Sequence, residues 1–131
     1  NEEIRIQACK TMHVYARGCG TLLPSSLGVD WNDPDYTAYT AAFYKVFVYY
    51  CVHHHFESGR LLNGVESMRH IPGIIVQGRH DVVSPPLMAH RLHKAWPEAE
   101  YVIVPDASHS SMEPSLAAAL IRATEQFKDL R

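Results

Sequence analysis

Ile71-Pro72-Gly73-Ile74-Ile75-Val76-Gln77, followed at once by Gly78-Arg79-His80-Asp81-Val82-Val83-Ser84-Pro85, decides how this chain is read. A short apolar run bounded by glycines predicts a strand buried on both faces, as strands of parallel sheets are. Leu87 to Trp96 then carries apolar residues at helical spacing (Leu87, Leu92, Ala95, Trp96), and Pro97 ends it. Tyr101–Val104 reads as a second short strand, closed by Pro105. Pro114–Leu130 predicts a final helix with Leu116, Leu120, Ala123 and Phe127 along its stripe. Strand, helix, strand, helix is a βαβα unit, for which a parallel pair and a right-handed crossover are expected. Two parallel strands make a poor sheet alone, because both keep unpaired edges and the faces need cover. The expectation is an α/β fold in which residues 67–131 close a larger doubly wound sheet.

Upstream the rhythm changes, and residues 1–66 predict a helical segment. Acidic residues open a helix from Glu2 to about Arg17, with Ile4, Ala8, Met12 and Tyr15 at helical steps. Gly18, Gly20 and Pro24 are expected to break it, and Pro24–Asn32 reads as a loop. Asp33-Pro34 has the form of an N-cap with proline at the first helical position. The helix that follows, Tyr36 to Tyr50, is apolar on all sides, which predicts burial on more than one face, as the wall of a pocket or packed into a larger body.

The chain has 131 residues, 47% hydrophobic and 20% charged, with a net charge of −2. That is one globular domain's worth of protein. It lacks the basic excess of a nucleic-acid or anionic-membrane binder. No run reaches the ~20 apolar residues of a membrane helix. Three cysteines, Cys9, Cys19 and Cys51, with no CxxC pair, speak against a disulfide scaffold and for a reducing, cytoplasmic compartment. The chain starts Asn1-Glu2-Glu3 without a methionine, and a piece of a longer protein is the expectation.

In open parallel sheets, catalytic groups gather beyond the carboxyl ends of the strands. Gly78–Pro85 follows the first strand, and Pro105-Asp106-Ala107-Ser108-His109-Ser110 the second. A carboxylate and an imidazole on such loops can meet, Asp81 fixing the tautomer of His109 and His109 serving as general base. The alternative is that Asp81 caps the helix starting near Pro86 and His109 is an ordinary loop histidine. His53-His54-His55 is a weak metal candidate: consecutive helical side chains project about 100° apart, and no carboxylate or thiol stands at ligand spacing. Solvated histidines near a helix C-terminus are the expected reading.

The run Ile71–Pro85, then Leu92-His93-Lys94-Ala95-Trp96-Pro97-Glu98-Ala99-Glu100, then Asp106–Ser110 resembles the carboxyl-terminal part of proline iminopeptidases, α/β-hydrolases with a helical cap. The resemblance covers about residues 69–127. It implies that Asp81 is the triad acid and His109 the base, and casts residues 1–66 as the later part of the cap. It implies no metal and no organic cofactor, and as substrate a peptide with a free N-terminus. Triad order in this fold is nucleophile, acid, histidine, so the serine belongs upstream in a GxSxG-type elbow. No such elbow is present. Ser25-Ser26 lies in a Pro/Gly loop, Gly18-Cys19-Gly20 follows a helix, and Ser84, Ser108, Ser110 and Ser111 share loops with acid and base. The isolated chain is therefore expected to be inactive, with the N-terminal half of the same protein as its partner.

The first half resembles the family through Thr21-Leu22-Leu23-Pro24 and Lys45–Tyr50. Where the family binds the substrate's amino group with two glutamates, this sequence has Ala16 and Phe47. A buried ammonium needs a carboxylate partner; Glu57 could substitute from a neighbouring position, though nothing in the sequence shows that it does. Phe47 and Tyr50 are candidates for a pocket wall, and Arg79 for a brace on the acid loop. Ser108 replaces the family's glycine before the histidine, and Ser84 a common cysteine. Two alternatives stay open: an esterase-like paralogue with another substrate, and a catalytically dead hydrolase-like protein that binds a partner chain.

Overall fold

The computed structural model describes residues 1–24, 29–53 and 58–129, with the backbone alone at 58–60. Ser25, Ser26, His54, His55, Glu57 and Leu130 lie outside the described residues. The chain forms two compact units, Asn1–Gly18 with Pro24–Glu57, and Cys19–Leu23 with Ser58–Arg131.

The first unit is helical, built on α2 (Pro34–Val52) and on α1 (Glu2–Gly20), whose last two residues belong to the second unit. Asp33 caps α2: its Oδ1 accepts from the backbone N–H of Asp35 at 2.9 Å and of Tyr36 at 3.3 Å, satisfying two of the donors a helix start leaves over. Between the helices, His13 Nε2 meets the Tyr36 hydroxyl at 2.8 Å, and the His13 ring stands edge-on to Trp31 and Tyr44. Burial, aided by the nearby Arg17, pushes the His13 imidazole below its ordinary pKa. Two expectations are corrected here. Helix α1 runs through Gly18 to Gly20, because one glycine inside a helix costs only about 1 kcal/mol. Helix α2 is not buried on several sides: only Thr40 and Tyr44 are buried, while Phe43, Phe47 and Tyr50 stay 44–51% exposed. Within this unit α1 offers α2 one face to pack against, and one face covers one stripe.

The second unit carries the α/β element. A short helix α3 (Ser58–Asn63) and a 3-10 turn, Val65–Met68, lead into β1 (Ile74–Gly78), α4 (Pro86–Ala95), β2 (Glu100–Val104) and α5 (Pro114–Glu125). β1 and β2 pair in parallel, with Ile74 opposite Glu100 and Gly78 opposite Val104. Side chains alternate across the two strands. Val76, Val102 and Val104 pack on one face with Ala107, Leu116 and Ala119, under α5. Ile75 packs on the other with Val65, Trp96 and Ala99, under α4 and the 3-10 turn. β1 starts at Ile74, later than its apolar run, since Pro72 has no N–H to give a ladder. Gly73 in turn lies flat under the Trp96 indole: a Cβ there would stand 2.3 Å from the ring.

At the amino ends of the strands, Arg69 holds Glu66 and Glu98 together. Its Nε donates to both Glu98 oxygens, at 3.1 and 2.9 Å, its Nη2 also pairs with Glu98, and its Nη1 reaches Glu66 at 3.0 Å. Hydrogen bonds from Arg69 hold the Glu98 carboxyl below the usual carboxylate range, against a smaller opposing push from burial. A carboxylate with a depressed folded-state pKa adds stability above its unfolded pKa and loses it as pH falls through the folded value. The stability difference between the native chain and Arg69→Ala is therefore expected to be full at neutral pH and to vanish in acid. The pair is largely exposed, so the difference should also shrink with added salt. Urea unfolding at a series of pH values and two salt concentrations checks both. Among the described residues no helix is long and apolar enough to cross a membrane.

Candidate active site

The loops that leave β1 and β2 stay zipped together beyond the sheet. Arg79 N donates to Val104 O at 2.9 Å, and His80 N to Ala107 O at 3.0 Å. The Ser108 hydroxyl adds a bond to His80 O at 3.1 Å. Gly78 allows this approach: a Cβ there would sit 1.9 Å from the Ser108 carbonyl oxygen. With the loops this close, Asp81 and His109, 28 residues apart in sequence, meet at 3.0 Å between Oδ2 and Nδ1.

Asp81 is 7% exposed and its oxygens are fully engaged. Oδ1 accepts from the backbone N–H of Val83 at 2.9 Å and of Ser84 at 2.7 Å, which folds the loop around the carboxylate. Oδ2 takes His109, with the Gln77 amide behind it at 3.5 Å. Gln77 also donates to Gly78 O and Ser84 O, tying the strand end to the far side of the same loop. Asp81 does not cap α4, whose N-cap is Pro85 without a side-chain bond. Surrounded by donors, the carboxylate is an acceptor only, so the bond to His109 places a proton on Nδ1 and leaves Nε2 with a free lone pair in the neutral ring. The His109 side chain is 45% exposed, open to a reacting group.

Residues 36–127 match the family model described as TAP-like protein, of the α/β-hydrolases. The chain belongs to that TAP-like α/β-hydrolase family. Among curated relatives of this chain, a probable proline iminopeptidase of Leptolyngbya boryana is 39% identical over 128 residues, 95% of this chain and 39% of that protein. The proline iminopeptidase of Arabidopsis thaliana is 46% identical over 130 residues, 98% of this chain and 34% of its own. That of Neisseria gonorrhoeae is 46% identical over 67 residues, 51% of this chain and 21% of its own. The chain thus spans less than half the length of the relatives it matches, and resembles them as one part of a proline iminopeptidase-like hydrolase.

Each of the other candidates in this α/β-hydrolase chain lies within one of the two units. Phe47 and Tyr50 line a shallow apolar depression on α2 with Tyr39, Phe43 and Val46, the Phe43 and Phe47 rings stacked at 6.2 Å. Ala16 is exposed on α1. The Arg79 side chain is exposed, and only its backbone N–H joins the loops. His53 ends α2 with its ring 4.4 Å from Tyr49. Among the described residues no three histidine, cysteine or acidic side chains gather as metal ligands, and the three cysteines are free thiols.

One participant was not legible. Glu113 accepts from Ser108 N and from Leu22 N, each at 2.7 Å. The only sequence signal for it is an acid just before a helix-starting proline, which ordinarily reads as a cap.

Proposed function

We propose that this chain carries the acid and base of a serine-hydrolase triad, and that the protein it belongs to releases N-terminal proline from peptides. The observation that supports this most directly is the Asp81–His109 bond at the carboxyl ends of adjacent parallel strands. The names of the relatives point to the same substrate. In this reading a serine from outside residues 1–131 attacks the carbonyl carbon of the first residue of the peptide. His109 Nε2 takes the serine proton, and the buried Asp81 carboxylate stabilises the resulting imidazolium. His109 then gives that proton to the leaving amine as the C–N bond breaks. Water, deprotonated by the same Nε2, releases the acyl group from the serine. The oxyanion donors, like the serine, lie outside the chain in this reading.

The test supplies the 131-residue chain together with the upstream part of a relative such as the Arabidopsis protein, and measures hydrolysis of a proline arylamide. Turnover that disappears with His109→Ala is the expected result. No turnover, or turnover indifferent to His109→Ala, would overturn the reading.

A second reading keeps the dyad and changes the substrate. Ala16 and Phe47 stand where the resemblance places amine-binding glutamates, and Phe47 lies in an apolar patch with no carboxylate among its described lining residues. A buried ammonium without a carboxylate partner is costly to desolvate. A short uncharged acyl ester, run in the same assay, distinguishes the two: faster ester than proline arylamide turnover selects the esterase.

A further inference from the structure

Glu113 is the N-cap residue of α5, yet its carboxylate makes no bond to its own helix. It turns outward instead. Oε1 accepts from Leu22 N and Oε2 from Ser108 N, groups from opposite ends of the sequence. Two more bonds run between the same segments: His109 N and Ser110 N both donate to Gly20 O, at 3.2 and 2.8 Å. Every backbone N–H from Ser108 to Ser110 is thus held, one by Glu113 and two by the last residue of α1. Backbone donors withdrawn from water need acceptors. A carboxylate is the side chain that can offer two oxygens to two N–H groups at once, through short charge-assisted bonds.

We propose that Glu113 is a positioning residue: it fastens residues 20–22 to the backbone of Ser108 and so sets where the His109 imidazole stands relative to Asp81. This rests on the reading of His109 as the base. Ser108 is the hinge of the argument. Its N–H is held by Glu113, its hydroxyl by His80 O, and its carbonyl is wedged against Gly78. His109 is the next residue, so releasing the N–H frees the backbone that aims the ring. A misplacement of about 1 Å at a catalytic group can cost roughly 10²-fold in rate.

Glu113→Gln keeps the shape but turns one acceptor into an NH₂ that faces a backbone donor. Glu113→Asp keeps the charge and shortens the reach. The experiment measures amide exchange at Leu22 and Ser108 and the ring-nitrogen resonances of His109 in the labelled 131-residue chain. Turnover is measured in the supplemented hydrolase. Arg69→Ala serves as a destabilised control far from the site. For Glu113→Gln, exchange at the amide left facing the NH₂, Leu22 or Ser108, is expected to rise about tenfold or more, as loss of a charged hydrogen bond implies. His109 Nδ1 should leave its Asp81-bonded position, and kcat should fall ~10²-fold with KM nearly unchanged. Glu113→Asp should restore one amide and part of kcat. A lowered melting temperature with His109 resonances and kcat unmoved, as expected of Arg69→Ala, would reduce Glu113 to a structural brace and overturn the proposal. Should His109→Ala leave turnover intact, the catalytic reading fails, while the exchange and ring measurements still decide whether Glu113 places this histidine.

Discussion

Asp81→Asn is expected to lower kcat of the supplemented hydrolase by about 10⁴-fold while the fold survives, the scale of effect when a triad acid loses its charge. The direction follows from who faces each oxygen. Val83 and Ser84 N–H both point at Oδ1, so the asparagine carbonyl must stay there. Its NH₂ then takes the place of Oδ2, opposite His109 Nδ1. A donor there turns Nδ1 into an acceptor and moves the ring proton to Nε2, the nitrogen that has to take the serine proton. The base is disabled by a change of tautomer. Ring-nitrogen NMR of His109 in the 131-residue chain should show the exchange of protonated nitrogens independently of any substrate. A variant with full turnover, or with the proton still on Nδ1, would show that Asp81 does not govern this histidine.

Gly78→Ala is expected to destabilise the second unit by about 3 kcal/mol, the upper part of the usual overpacking range. The added carbon would lie 1.9 Å from Ser108 O and 2.9 Å from Ala107 O, both backbone atoms. No rotamer change relieves a clash with a carbonyl. The two loops must part, and with them go the His80–Ala107 bond and the Asp81–His109 contact. Denaturant unfolding should show the loss. Amide exchange at His80 should rise in the native state. A midpoint equal to that of the native chain would mean that the loops are not held at this spacing.

The βαβα order and the parallel pairing could be read from residues 71–127 because each strand is a short apolar run with its own punctuation. Its ends could not all be read. β1 yields Pro72 and Gly73 to the turn because one lacks a donor and the other lies under Trp96. α5 stops at Glu125, short of the periodic stripe, and residues 126–129 form turns. α3 and the 3-10 turn went unforeseen because they are too short to show a period. The end of α1 is a long-range matter: Gly20 O accepts from His109 and Ser110, partners that no local pattern announces. The candidate pair was visible because loops after neighbouring parallel strands converge. Glu113 was not, because its partner Leu22 is 91 residues away. The apolar surround of α2 predicts burial, yet a sequence records how greasy a helix is without recording how much neighbouring surface one unit has to cover it.

Ser108 also limits the drift this protein can tolerate. Each of its polar groups is committed in a different direction: amide to Glu113, hydroxyl to His80, carbonyl against Gly78. A glycine there would forfeit the hydroxyl tether, and a bulkier residue has almost no room at a position only 2% exposed. Proline would delete the amide that Glu113 holds. Random mutagenesis scored by survival of the acid–base pair should therefore find residue 108 confined to small residues such as serine and the family's glycine, although it performs no chemistry itself.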